Sequence, residues 1–387
     1  MGLEEIGDSE VKLGFPDPND LTQTICMPAW SGLAHRFIAV AVSKSGEDPA
    51  GGFYTYILVD DYADWPQFTV HDDYLVLNHR AAGSTTYVFD AKTLADGSAG
   101  DSSALEIKPL LTIDAAALRA RLPFNVPTTA LMPATVHGDS DRVTYLAAGF
   151  GSLLVVYGLL SPPNHPESAP SFMSPALVSI GNELHGMTNR PVFQSGMLHL
   201  VGYECALSVP ELPCEKYITR IVRFLVARVG NALITSGSAS KEFINETIGD
   251  SPDDLSSFEL PAIEVTDAGD MVVVYDRARL FPTIEVPASA RYSVRFHDVP
   301  GISHGAPLQD AIGDIVPCNT DKKIFKTYPV RVDLGGIALD PVPDKSGHHS
   351  TVWMSHAFTH PSAKPPPTGC PEGPQSSYAA VFGAVTP

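Results

Sequence analysis

The stretch WPQFTVHDDYLVLNHR, residues 65–80, sets a proline before a short run of β-forming residues, turns at a pair of aspartates and resumes with a second apolar run. The same order returns at MPATV (132–136) followed by DRVTYLAAGFG, at RPVFQ (190–194) followed by MLHLVGYE, and at LPAIEV (260–265) followed by DMVVVYDR. A looser copy is YPVRVDLGGIALDP (328–341), with STVWMSHAF after it. The prolines of these copies are Pro66, Pro133, Pro191, Pro261 and Pro329. A recurrence of roughly 60–70 residues is the mark of one supersecondary unit repeated around an axis. Proline fits the first residue of a strand because its missing N–H costs no ladder bond there and its φ already suits an extended chain.

Ahead of these copies, RFIAVAVS (36–43) and GGFYTYILV (51–59) read as another hairpin, which brings the count of units to six. At roughly 64 residues per unit, six blades take up the whole chain. The expectation is an all-β protein: a six-bladed β-propeller, one closed domain over residues 1–387. The terminal run SSYAAVFGAV (376–385) has no later partner and is expected to complete a blade with amino-terminal sequence, hiding two strand edges. Helical periodicity is scarce; TIDAAALRARL (112–122), capped by Asp114, is the best helix candidate. The 31 Gly and 34 Pro that punctuate short alternating runs agree with a turn-rich β chain.

A net charge of −19 repels phosphate backbones and anionic bilayers, so neither nucleic acid nor membrane is an expected partner. An apolar small molecule is expected instead, and a homodimer stays open. Cys205 and Cys214 flank ALSVPELP between two strand-like runs, so a hairpin would set them side by side for a disulfide. Asn245-Glu246-Thr247 is an N-glycosylation sequon. Together these point to the secretory pathway, with a leader removed from the amino terminus. Five reduced, buried thiols are the competing reading.

Motifs for hydrolysis or phosphate binding are missing: there is no Gly-rich phosphate loop, GxSxG elbow, HExxH pair or CxxC. His348, His349, His356 and His360 form the one histidine cluster, at a spacing that does not by itself join two imidazoles, so no metal or other cofactor is expected. The residues beside the prolines are mostly apolar. Trp65, Met132 and Leu260, with Trp30, make an expected substrate wall, while Arg190 is the permanent cation among them, able to steady an anionic oxygen or to serve in an ion pair with an acidic neighbour. Gln67 follows the first proline as a polar partner, and His35 is a candidate proton donor.

DWPQFTVHDDYLVLNHR, LPAIEVTDAGDMVVVYDRARLFPTIEV and GGIALDPVPDKSGHHSTVWMSHAF resemble blade segments of secreted six-bladed propellers. Within these, an acidic chain without hydrolytic motifs is similar to the fungal intermolecular hetero-Diels–Alderases of tropolone sesquiterpenoid pathways. The resemblance implies a cofactor-independent cyclase of secondary metabolism. Such an enzyme promotes dehydration of a hydroxymethyl tropolone or phenol to a quinone methide and its addition to a terpene alkene. It assigns no residue; Arg190, Gln67 and His35 are the catalytic expectations from the residues themselves. A non-catalytic small-molecule or carbohydrate-binding propeller, and a hydrolase or lyase on the same fold, are the alternatives.

Overall fold

The computed structural model describes residues 4–6, 10–12, 14–17, 20–26, 37–44, 52–59, 66–79, 85–99, 106–114, 120, 131–163, 168–184, 189–209, 212–237, 240–249, 251, 256–279, 286–303, 305–311, 335–362 and 375–387. The chain divides into two compact units, Met1–Asp64 with Leu94–Lys108, and Trp65–Thr93 with Pro109–Pro387.

The first unit holds three antiparallel hairpins: Glu4–Ile6 with Glu10–Lys12, Gly14–Asp17 with Asp20–Cys26, and Phe37–Ser43 with Phe53–Val59. The third is the hairpin expected from RFIAVAVS and GGFYTYILV. Lys44 N donates to Gly52 O at 3.0 Å to close it, and the Tyr56 hydroxyl donates to Leu94 O at 2.7 Å.

The second unit is a β-propeller arrangement of five blades. Blade one runs Gln67–His71, Tyr74–His79, Thr85–Asp90 and Leu111–Ile113, each strand antiparallel to the last. Blade two is built on the long strand Val143–Leu160, which pairs with Met132–Pro133 and with both Ser171–Phe172 and Ala176–Leu184. Blade three runs Val192–Gln194, Met197–Val209 and Leu212–Val229, with Ala232–Thr235 and Ile244–Ile248 both laid on the last. Blade four is Ser257–Val265, Met271–Arg279, Val286–Arg295 and Ala306–Gln309, and blade five is Gly335–Leu339, Val352–Ser362 and Gln375–Val385. The strand Thr135–His137 joins blade three in parallel, so one short segment beginning at Met132 serves two neighbouring blades.

Each pair of consecutive blades shares an apolar layer. Tyr74, Val76, Val88, Leu146 and Tyr157 fill the first layer, and Tyr145, Leu154, Phe193, Leu200 and Phe224 the second. Val192, Ile221, Val265, Met271 and Tyr275 fill the third, and Ala262, Val274, Ile337, Val352 and Met354 the fourth. Strands caught between two such layers are apolar on both faces: every residue of Ser257–Val265 is buried. Successive first strands touch one another, from Gln67–His71 through to Gly335–Leu339, and these contacts form the hub.

The described blades number five, against the six expected. The terminal strand Gln375–Val385 pairs with Val352–Ser362 as the third strand of blade five, across an eleven-residue register. The helix expected over 112–122 opens instead as the strand Leu111–Ile113, because Ile113 is worth more in the shared layer of blade one than as a helix start, and most of the remainder lies outside the described residues. The described helix is Ala91–Asp96, where Asp90 Oδ1 accepts from Lys92 N at 2.8 Å and Thr93 N at 3.3 Å as an N-cap. Cys205 and Cys214 do form a disulfide, across the paired strands of blade three.

Two predictions follow from this architecture. Because two of the five cysteines are joined, titration of thiols in unreduced, denatured protein is expected to find at most three, and reductant to raise the count to five. Gly249 has φ +88°, and a Cβ there would meet Cδ2 of the Phe258 ring at 2.1 Å. Gly249→Ala is therefore expected to cost about 2 kcal/mol or more, from backbone strain plus displacement of a buried ring, read as a lower urea midpoint.

Candidate functional site

The first strands present their inner edges to the hub, and at its proline end one cation reaches across it. Arg190 precedes the first strand of blade three. Its Nη1 donates to Phe68 O of blade one at 3.5 Å and its Nη2 to Ile337 O of blade five at 3.4 Å. The guanidinium thus stands among first strands of three different blades. Asn189 fixes the approach: its Oδ1 accepts from Arg190 N at 2.8 Å and its Nδ2 donates to Gly335 O at 3.2 Å. Among the described residues no carboxylate forms an ion pair with Arg190, so the acidic-neighbour reading of this residue finds no partner there.

The neighbouring wall is polar backbone. Leu260 is buried with φ +52°, an uncommon conformation for a branched side chain, at a bulge in the first strand of blade four. Its carbonyl lies 3.4 Å from His356 Nε2, whose ring is buried, and burial holds that imidazole below its usual value. Gly335 lies beside it, where a Cβ would approach His356 Cδ2 to 3.1 Å and the ring would have to give way.

The other expected site residues fall as follows. Gln67 opens the first strand of blade one, half-buried, on the face it shares with Thr69 and His71. Met132 is 1% exposed and packs in the layer between blades two and three, so it belongs to the core and not to a ligand wall. Leu260 contributes its carbonyl to the hub rather than an apolar surface. Trp30, His35 and Trp65 lie outside the described residues. Asn245 of the sequon sits in the strand Ile244–Ile248, where its Nδ2 donates to Ile180 O at 2.8 Å and its Oδ1 accepts from Arg220, itself bound to Glu204. Of the histidine cluster, His349 Nδ1 meets Asp340 O at 2.7 Å, and His356 turns to Leu260.

Sequence reading missed the opposite end of the hub. There Gln67–His71, Thr135–His137 and Val192–Gln194 finish on His71, His137 and Gln194, and Glu264 stands one residue before the end of Ser257–Val265. His137 Nε2 meets the buried Glu264 Oε1 at 2.8 Å, which joins the segment between blades two and three to blade four. His71 bridges Thr144 Oγ1 at 2.9 Å and Ser140 Oγ at 3.0 Å, and joins blade one to blade two. Behind Gln194 lies His199, fully buried in blade three. Burial pushes its imidazole down to about 3, and the nearby charges of Arg223, Arg295 and His137 act in the same direction.

No family model matches the chain, and no curated protein matches it. Among solved structures it is similar to a protein of unknown function from Dyadobacter fermentans, at 11% identity, TM-score 0.35, over 84% of this chain and 82% of that one. It is also similar to a point mutant of B. megaterium levansucrase, at 11% identity, TM-score 0.39, over 88% of this chain and 85% of that one. Likeness at this level carries no inference about chemistry.

The buried histidine gives a prediction with a definite sign. A folded value near 3 against an ordinary value of 6.5 means that between these limits the unfolded chain binds the proton and the folded chain does not. Stability from this group is complete above about pH 6.5 and declines as pH falls, with a slope of up to about 1.4 kcal/mol per pH unit. Urea unfolding from pH 7 to pH 4 is expected to show a shallower decline in His199→Gln than in the parent.

Proposed function

We propose that the chain binds an apolar small molecule carrying an acidic oxygen at the proline end of the hub, and that it acts there as a cofactor-independent cyclase. The observation that supports this reading is Arg190, a permanent cation held among three blades by backbone carbonyls alone among the described residues. A guanidinium carries five N–H donors in a fixed fork. Two contacts to carbonyls leave donors to meet a ligand oxygen.

The chemistry asks little of the protein. A hydroxymethyl tropolone or phenol loses hydroxide from its benzylic-type carbon as the ring O–H gives up its proton, so water leaves and a quinone methide remains. Arg190 steadies the oxygen as its charge develops, and the surrounding strands hold the heterodiene against an alkene of a terpene such as humulene. Gln67 is the polar neighbour on blade one, and Trp65 keeps the wall role expected from sequence. The Cys205–Cys214 disulfide supports passage of the chain through an oxidising compartment.

Incubation of a hydroxymethyl tropolone and humulene with the protein is expected to raise cycloadduct formation and change its stereochemical ratio relative to a protein-free control. Arg190→Leu is expected to lower the rate by about 100-fold, the scale for loss of one oxyanion donor, with unfolding midpoint little changed. A product amount and ratio equal to the control would overturn the cyclase, and retention of ligand binding in that case would identify a binding propeller instead.

A further inference from the structure

Blade five is a strand short among the described residues. Blades one and four each carry four strands, whereas blade five ends with Gln375–Val385 as its third. That last strand is bonded to Val352–Ser362 along eleven residues on one side, and alternate residues direct their N–H and C=O groups the other way. No described strand takes those groups.

The two faces of the blade differ as well. Ile337, Val352, Met354 and Val385 pack into the layer shared with blade four. The register sets Ala338 against Trp353, Trp353 against Ala384 and Ser355 against Phe382, so these residues share the opposite face. That face is open. Trp353 is 51% exposed and Phe382 77%, the most exposed large hydrophobic side chain among the described residues. The two are diagonal neighbours across the last ladder, within reach of one another as a single apolar patch beside the free edge.

An edge strand is ordinarily guarded by a charge, a proline or a bulge. This one has none: Gln375–Val385 reads QSSYAAVFGAV, and its register runs without a shift. Charge also identifies the occupant. Two copies of a chain of net charge −19 repel one another wherever carboxylates meet, and a twofold axis sets an edge against the same sequence, so any charge on it would lie near its own twin. An uncharged edge beside an uncharged face removes that penalty. A basic partner would be met by carboxylates, which this strand lacks. The length is sufficient too, since antiparallel pairing over eleven residues makes about ten backbone hydrogen bonds, the number in a standard protein–protein interface.

We propose that a second copy of this chain supplies the missing strand: two Gln375–Val385 edges pair antiparallel about a twofold axis, joining two fifth blades into one continuous sheet with Phe382 and Trp353 at the seam. The pairing rests on no part of the hub chemistry.

The test is sedimentation equilibrium of the full chain from low to high micromolar concentration, with amide hydrogen exchange read along Gln375–Val385. A closed dimer is expected, with amides of that strand better protected in the dimer than in the monomer. Phe382→Lys places like charges at the seam and is expected to weaken association by at least about tenfold, while the unfolding midpoint of dilute protein holds because the side chain is exposed. Val229→Lys, at an apolar position of blade three that is 59% exposed, is expected to dimerise like the parent. Arg190→Leu is expected to do the same, so failure of this interface and failure of the hub reading are separable. A monomer at every concentration, a dimer indifferent to Phe382→Lys, equal loss in Val229→Lys, growth beyond the dimer, or unchanged exchange along Gln375–Val385 would each overturn the pairing.

Discussion

The inner edge of every blade leaves backbone carbonyls that no further strand can take. Apart from Val192–Gln194, which also takes Thr135–His137 in parallel, a first strand has a ladder partner on one side only, and its other edge faces the hub, where buried backbone groups must be satisfied. In this chain side chains from other blades supply the bonds. Arg190 serves Phe68 O and Ile337 O, Asn189 serves Gly335 O, Gln194 serves Thr266 O, and His356 lies against Leu260 O. Gln194 and Asn189 are thus structural before they are chemical, each a clasp between blades.

The shared apolar layers supply the other half of the constraint. A sheet buried on both faces cannot stop at a single neighbour, so the apolar runs dictate a succession of blades, and the succession brings the first strands together. Among the polar residues of the described blades, His71, His137, Gln194 and Glu264 stand at or next to the ends of first strands. These positions gather because the first strands begin together, each at its proline or close to it. Glu204 with Arg220, and Glu246 with Arg295, show the same rule farther out, where each charge carried inward has its opposite within bonding distance.

Periodicity and proline placement made the blades legible, since both are properties of a strand and its turn. The hairpin boundaries at His71–Tyr74 and Gln194–Met197 follow directly from them, the latter with Ser195 and Gly196 both at positive φ as a tight hairpin turn demands. Less legible was anything set by contact between blades. Met132 reads as a rim residue because it precedes a proline, yet its side chain lies in the core layer with Phe193, Leu200 and Phe224 of blade three. Pro261 reads as a strand start but stands at a bulge inside Ser257–Val265, where the missing N–H is equally harmless. Arg190 was visible as a lone cation, whereas the pairing of His199 with Arg223 across a ladder, and of Arg295 with Glu246 across a blade gap, is written in register and packing rather than in spacing along the chain.

The hub contacts also differ in quality, and the difference separates structure from function. A neutral amide, Gln194, reaches its carbonyl at 2.8 Å, the length expected of a settled hydrogen bond. A charged donor ought to do better, at about 2.7–2.9 Å where it meets a charged acceptor. Arg190 stands at 3.4 and 3.5 Å from its two carbonyls. A residue selected only to satisfy Phe68 O and Ile337 O is poorly served by this geometry, and a shorter neutral side chain would close those bonds more tightly. What the long contacts do accomplish is to hold a full positive charge in place without neutralising it, and in a chain of net charge −19 a cation held beside backbone alone is a standing attraction for an anionic oxygen. At Arg190 no carboxylate among the described residues forms an ion pair, although carboxylates outnumber cations along the chain by 44 to 25.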